Sequence, residues 1–116
     1  MKKEAIIFVK HILENIEDIE TFSEGLAEED LKKDKLRQKA IVRSIEIIGE
    51  AVKNIPQSFR EKYPDIPWKS IAGTRDKIIH HYFGIDLKTI WDVIKKEIPS
   101  LKKKIKLILK KESTQK

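Results

Sequence analysis

The sequence predicts an all-α fold, an antiparallel bundle of helices. Apolar residues recur at three- and four-residue spacing through most of the 116-residue chain, which is the period of an amphipathic helix. No stretch shows the sustained alternation of apolar and polar residues that is typical of a half-buried strand. Glycine and proline separate the periodic stretches, so we expect short connections between helices that pack side by side.

The first two apolar patterns predict two long helices. One runs from about residue 3 to 22 and ends near Gly25. The other runs without interruption over 28–54, and Pro56 stops it and can open one further short helix. Gly49 lies inside the second helix, where glycine costs about 1 kcal/mol relative to alanine. We therefore expect another helix to approach closely at this position.

A proline-containing connector leads into the next helix. Pro64 and Pro67 fix the backbone and remove two hydrogen-bond donors, so the connector is predicted to be rigid and to seat Trp68 against the core. Pro67 suits the first turn of the helix that follows. Gly84 breaks the pattern of that helix.

Asp86 is predicted to cap the final helix, which continues through Ile108 and is kinked or restarted by Pro99. The chain has the length of one ordinary domain. We assign residues 1–112 to a single helical domain and expect 113–116 to be a disordered tail.

The composition limits the chemistry that the protein can perform. There is no cysteine, which excludes disulfides, cysteine-based zinc sites and thiol nucleophiles. No segment approaches the roughly 18 consecutive apolar residues of a membrane span. We therefore expect a soluble, cytoplasmic protein without contact to a membrane.

The net charge of +6 is concentrated at the C-terminal end. Seven lysines against one glutamate between 101 and 116 give +6, so residues 1–100 sum to zero. This lysine-rich stretch could attract RNA without sequence preference. We favour a solvated lysine face on the last helix as its explanation.

The motif Arg75-x4-His80-x-Tyr82 combines three useful groups in eight residues. Arginine is permanently charged and its planar fork matches a phosphate. Histidine can give and take a proton near neutral pH, and tyrosine offers a modifiable hydroxyl. An arginine and a histidine together suit cleavage of a phosphodiester without a metal ion.

Helix geometry complicates this interpretation of the motif. On one straight helix His80 lies about 140° around the axis from Arg75, so the two would not face one phosphate. Either the helix unwinds near His80, helped by Gly84, or two copies share the site across a two-fold axis. We favour the homodimer, which supplies two histidines for two proton transfers.

Other polar and aromatic residues have simpler explanations. His81 is expected to be a satisfied histidine or an RNA contact, and Asp76 to orient Arg75 or to decorate the helix. Three scattered histidines make a poor metal site, so no metal and no cofactor are predicted. Glu46 and Glu50, one helical turn apart, could be general bases, but an exposed helix face explains them better. Trp68 and Trp91 are expected to anchor the core rather than to stack on bases.

The chain resembles the HepT toxin family of HEPN domains. The resemblance extends in order and spacing over nearly the whole chain, through the segments Ile47-Ile48-Gly49-Glu50-Ala51, Tyr63-Pro64-Asp65-Ile66-Pro67-Trp68, Ile71-Ala72-Gly73-Thr74-Arg75-Asp76 and His80-His81-Tyr82, and Trp91.

This resemblance implies a HEPN-like bundle, a homodimer with a composite site, and a metal-independent endoribonuclease that is the toxin of a toxin–antitoxin pair of type VII. It also implies a minimal nucleotidyltransferase as partner, alone or in a larger hetero-oligomer, which silences the toxin by attaching AMP to Tyr82. Many family members carry Asn directly after the motif arginine, whereas this chain has Asp76. The added negative charge bears on how strongly RNA binds.

Two other classes of function remain open. The protein could be a non-catalytic helical module that binds a nucleotide or a protein and accompanies a nucleotidyltransferase, with Arg75 on a phosphate. Alternatively, it could be a structural dimerisation domain that binds RNA through residues 102–116 without cutting it. Purified protein in a nuclease assay separates both from the enzyme.

Overall fold

The computed structural model describes residues 2–80 and 84–114, and this part of the chain is almost entirely helical. The elements are α1 (Lys2–Ser23), α2 (Glu28–Lys33), α3 (Lys35–Asn54), α4 (Gln57–Glu61), α5 (Trp68–Ile78), β1 (Ile79–His80), β2 (Gly84–Ile85), α6 (Leu87–Asp92), a π-helical turn (Val93–Glu97) and α7 (Ile98–Thr114). Within these ranges no helix is long and apolar enough to cross a membrane.

The predicted all-α bundle is confirmed. Helix α1 packs along α3 and α7, and α3 packs on α5. The Nζ of Lys102, at the start of α7, lies 2.8 Å from a carboxylate oxygen of Glu20, near the end of α1, as expected for antiparallel neighbours. The fully buried core side chains come mainly from the predicted apolar stripes and include Ile12, Ile16, Ile19, Ile41, Ile105 and Ile108.

The prediction of one uninterrupted helix over 28–54 was wrong, because the helix breaks at Asp34. The backbone of Asp34 is not helical (φ −107°, ψ 87°), and its carboxylate accepts a hydrogen bond from the backbone N–H of Arg37. The same carboxylate forms an ion pair with the Arg37 guanidinium at 3.0 Å. An N-cap of this kind satisfies a backbone donor that a continuous helix would not leave open. Apolar spacing alone could not distinguish the two cases.

The last helical region contains a widened turn ahead of Pro99, where we expected a kink or a restart. In this turn the backbone N–H of Ile98 donates to the carbonyl of Val93, five residues earlier. Proline has no N–H, and inside a regular helix its ring clashes with the carbonyl four residues before it. The wider π-helical turn accommodates Pro99, and α7 continues from it. Asp86 caps α6 as predicted, accepting from the backbone N–H of Thr89.

The connector before α5 is fixed by Trp68, as predicted. This side chain is 7% exposed, and its indole N–H donates to the backbone carbonyls of Arg60 (3.1 Å) and Tyr63 (3.0 Å). A buried indole N–H needs such a partner. Trp68 therefore acts as a core anchor that ties the start of α5 to the segment directly after α4.

A buried carboxylate, that of Glu112, stabilises the C-terminal helix. The lysine-rich composition of this stretch gave no indication of it. Glu112 is 4% exposed, and its Oε2 accepts hydrogen bonds from the hydroxyl of Tyr63 and from the Nζ of Lys62, the latter at 3.0 Å. Leu101, Ile105 and Ile108 are buried on the same helix. Helix α7 thus belongs to the core up to its last turn and includes Thr114.

Because of Tyr63, the free energy of unfolding should decrease at alkaline pH. Burial, aided by the hydrogen bond to Glu112 and by its negative charge, raises the pKa of Tyr63 from 10.0 to about 12. Between these values the unfolded chain loses the phenolic proton while the folded protein keeps it, so the stabilisation falls as pH rises through about 12. Tyr63→Phe should cost about 1–3 kcal/mol near neutral pH, because a buried carboxylate loses a donor.

The difference in unfolding free energy between wild type and Tyr63→Phe should therefore shrink as pH is raised from 10.0 towards 12. Urea unfolding of both proteins at a series of pH values measures it. A difference that stays constant over this range would show that the Tyr63 hydroxyl titrates normally in the folded protein.

Candidate functional site

The candidate site lies where α5 packs on α3. The indole N–H of Trp68 ties the start of α5 to Arg60 of α4 and to Tyr63 just after it, and α5 then packs on α3. The two helices touch at Gly49, where a Cβ added to the glycine would lie 3.5 Å from the carbonyl oxygen of Ala72. The close approach predicted at Gly49 is therefore confirmed, and it sets the position of the motif helix.

Two of the predicted site residues lie in the second half of α5. The backbone of Arg75 follows that of Ala72 by one turn of α5. Asp76 is exposed on the same helix. The close contact between α3 and α5 therefore fixes the backbone from which the predicted phosphate-binding arginine projects.

His80 lies in a short strand rather than on the helix. Ile79 and His80 pair antiparallel with Ile85 and Gly84, an element that sequence reasoning missed because two residues are too few to show alternation. The backbone N–H of Asp86 donates to the carbonyl of Ile78 at 2.6 Å and closes this junction. The backbone at His80 is thereby held against the start of α6.

His81 and Tyr82 lie outside the described residues. The described chain resumes at Gly84, in β2, and Asp86 then caps α6. The Asp86 carboxylate accepts from both the backbone N–H and the hydroxyl of Thr89, at 3.1 and 2.8 Å. The predicted roles of His81 and Tyr82 therefore stay predictions.

The angle of about 140° between Arg75 and His80 that a straight helix would impose does not apply to the observed backbone. That angle assumed a straight helix through His80, but α5 ends at Ile78 and the chain is then extended. One helical turn and two extended residues separate the Cα atoms of Arg75 and His80 by at most about 12 Å. Of the two explanations considered, the early end of the helix is the one observed, so helix geometry by itself does not require a second copy.

Glu46, a possible general base by its sequence position, does not lie on the exposed helix face to which it was attributed. It is half-buried on α3, one turn before Gly49, whereas Arg75 lies one turn after Ala72. Glu46 thus lies one helical turn from the contact that sets the position of α5.

Acidic and imidazole side chains are dispersed elsewhere in the described ranges. Among residues 2–80 and 84–114, no group of three or more His, Asp or Glu side chains is arranged to hold a metal ion. His11 lies on α1, in a surface groove that Arg43, Glu46 and Glu50 of α3 also line. Its ring makes an edge contact with Phe8, the centroids being 6.0 Å apart.

Comparison with known proteins identifies the family. The family model described as "Ribonuclease HepT-like" matches residues 12–108, which include the α3–α5 crossing and the whole motif. The chain belongs to the HepT-like ribonuclease family. The resemblance inferred from the sequence is thus confirmed.

Named relatives of this HepT-like chain agree with the family model. A protein of Caldanaerobacter subterraneus named "Putative RNase" is 52% identical over 105 residues, which cover 90% of this chain and 94% of the relative. A protein of Thermococcus cleftensis named "Probable ribonuclease HepT" is 46% identical over 110 residues, covering 95% and 100%. A comparison with solved structures gives no match.

Proposed function

We propose that this HepT-like protein is a metal-independent endoribonuclease and the toxin of a two-gene pair with a minimal nucleotidyltransferase. The observation that carries the proposal is the family match over residues 12–108, which contains the motif from Arg75 to Tyr82. The names of two relatives, "Putative RNase" and "Probable ribonuclease HepT", support RNA as the substrate.

The proposed reaction is an internal transfer within the RNA. The 2′-oxygen forms a bond to the adjacent phosphorus while the bond from phosphorus to the 5′-oxygen breaks. One imidazole takes the proton of the 2′-hydroxyl and another acid protonates the leaving 5′-oxygen. The products are a cyclic phosphate and a free 5′-hydroxyl, and no water or metal enters this step.

In this mechanism Arg75 binds the scissile phosphate and stabilises the negative charge that develops on it. His80 acts as general base or general acid. Asp76 orients Arg75, and His81 assists at the RNA. A homodimer provides two copies of His80, so that one can accept a proton while the other donates one.

The experiment that tests the function is cleavage of RNA by the purified protein. Cyclic phosphate ends and free 5′-hydroxyl ends are expected, with cleavage undiminished by EDTA. Expression of the protein alone should inhibit growth, and co-expression of the proposed nucleotidyltransferase partner should relieve this inhibition. Absence of cleavage on every RNA tested would favour the non-catalytic module instead.

Tyr82 is the proposed site at which the toxin is silenced. On the nucleotidyltransferase, the phenolic oxygen gives up its proton to a base of that enzyme and bonds to the α-phosphorus of ATP. The bond from this phosphorus to pyrophosphate breaks, pyrophosphate leaves and AMP becomes attached. The added bulk and negative charge then repel RNA from the adjacent Arg75. Co-expression with the nucleotidyltransferase should add the mass of one or more AMP units to the wild-type protein, and Tyr82→Phe should remove this addition completely.

Tyr63→Phe is the matched control, because Tyr63 is the only other tyrosine of the chain and its hydroxyl is buried against Glu112. This variant should still be modified. Intact-protein mass spectrometry distinguishes the outcomes, and AMP remaining on Tyr82→Phe would assign the modification to another residue.

A further inference from the structure

An apolar cavity of about 220 Å³ lies beside the motif helix, between α3, α5, the π-helical turn and α7. Its walls are aliphatic and come from four elements: Ile45, Ile48, Ile71, Val93, Ile98 and Leu101. On the α5 side the cavity is lined by Thr74, which directly precedes Arg75. The cavity and the proposed phosphate site therefore share one turn of helix.

A few polar side chains line this otherwise apolar cavity. Thr74 is 8% exposed, and its hydroxyl donates to the carbonyl of Ser70, which leaves the oxygen itself as a hydrogen-bond acceptor. Ser100 and Lys96 line the cavity from exposed positions. Lys104, whose Nζ donates to the Asp65 carbonyl at 2.8 Å, lies at the same opening.

The charge at the opening suits a polyanion. Two lysines, Lys96 and Lys104, line the cavity together with one carboxylate, that of Glu97. An apolar interior with a few convergent polar groups and a cationic rim is typical of a pocket that takes a flat heterocycle linked to phosphates. The cavity volume of about 220 Å³ is below the roughly 300 Å³ at which pockets for drug-sized ligands begin, so a ligand with a single ring system is favoured.

We propose that this cavity binds one base of the RNA, adjacent to the scissile phosphate at Arg75. The proposal rests on the ribonuclease function and adds a substrate contact to it. Sequence-specific RNA recognition mostly uses unstacked bases that are splayed out of the strand and hydrogen-bonded on their edges. The base would lie against the aliphatic walls, its polar edge towards Thr74 and Ser100.

A second protein copy fits the cavity less well than a base does. A stable interface buries about 800 Å² on each partner. Among the described residues the exposed large aliphatic side chains are Ile7, Leu36 and Leu107, which belong to three different helices and do not line the cavity. The narrow, cation-rimmed shape favours a nucleotide.

The test uses RNA oligonucleotides that carry 2′-O-methyl groups and so cannot be cleaved. Each oligonucleotide of the set lacks one base, at a different position along the strand. Fluorescence anisotropy at fixed salt measures their binding. For the wild-type protein, one abasic position should weaken binding by about tenfold relative to the complete strand. Ser100→Phe, which fills the opening, should weaken binding of the complete strand by about as much and remove the effect of the abasic position.

Ser113→Phe is the matched control, because it introduces the same side chain at an exposed position of the same helix outside the cavity. It should behave as wild type. Ser100→Leu adds less volume and is the second variant if the thermal midpoint of Ser100→Phe falls.

Two results would overturn the proposal. Equal binding of every abasic strand by the wild-type protein would exclude a base pocket. A change from dimer to monomer in Ser100→Phe, measured by light scattering, with the abasic effect retained, would assign the cavity to a second copy. Because the strands cannot be cut, this readout is independent of catalysis, which cleavage of the unmodified strand by wild type tests separately.

Discussion

His80→Ala is expected to lower the rate of RNA cleavage by about 10²- to 10⁴-fold, which is the usual contribution of a positioned general acid or base. The residue lies in β1, outside the helices that build the core, so its loss should leave the helical core intact. The measurement is kcat/KM for a short RNA, accompanied by circular dichroism and thermal unfolding.

His11→Ala is the control for this prediction, because His11 is an exposed histidine on α1, away from β1 in sequence. It should retain wild-type activity. Unchanged cleavage by His80→Ala, or loss of wild-type cleavage on addition of EDTA, would contradict the proposed mechanism. Equal losses in both histidine variants would indicate a general effect of the substitution.

The second large effect is expected at Gly49, where a small and a large side chain should behave in opposite ways. A Cβ at this position would lie 3.5 Å from the Ala72 oxygen and 3.7 Å from the Ile71 oxygen, which is ordinary contact. Gly49→Ala should therefore be accommodated and should gain up to about 1 kcal/mol from helix propensity. Its activity should stay close to that of wild type.

Gly49→Leu places additional carbons against the backbone of α5. Overpacking of this kind costs about 1–3 kcal/mol and shifts the neighbouring backbone. Arg75 follows Ala72 by one turn, so the shift should displace the phosphate-binding position, and a displacement near 1 Å can lower activity by about 10²-fold. Urea unfolding and kcat/KM measure both effects. Wild-type stability and activity in Gly49→Leu would show that the crossing does not position Arg75.

The elements that could be predicted are those marked by chemistry within a few residues. The helical class follows from apolar residues at three- and four-residue spacing. The cap at Asp86 follows from an acidic residue directly before a helix, and the anchoring of Trp68 follows from two prolines beside it. The close approach at Gly49 follows from a glycine that the helix itself does not need.

The elements that could not be predicted depend on contacts between distant residues. Glu112 stands among lysines in the sequence, yet the fold buries it against Tyr63, 49 residues earlier. The break at Asp34 was missed because a lone aspartate is compatible with both a cap and a helix surface. The pairing of Ile79 and His80 with Gly84 and Ile85 is too short to leave a pattern.

The sequence by itself determined the helical class, the family and the order of the motif Arg75-x4-His80-x-Tyr82, because periodicity and motif spacing are local properties of the chain. Only the tertiary structure decided where the motif helix ends, that α3 and α5 touch at Gly49 and Ala72, and that an apolar cavity opens between α3, α5 and α7. These features arise from how α3, α5 and α7 pack on one another, and packing between helices distant in sequence is not encoded in the spacing within any one of them.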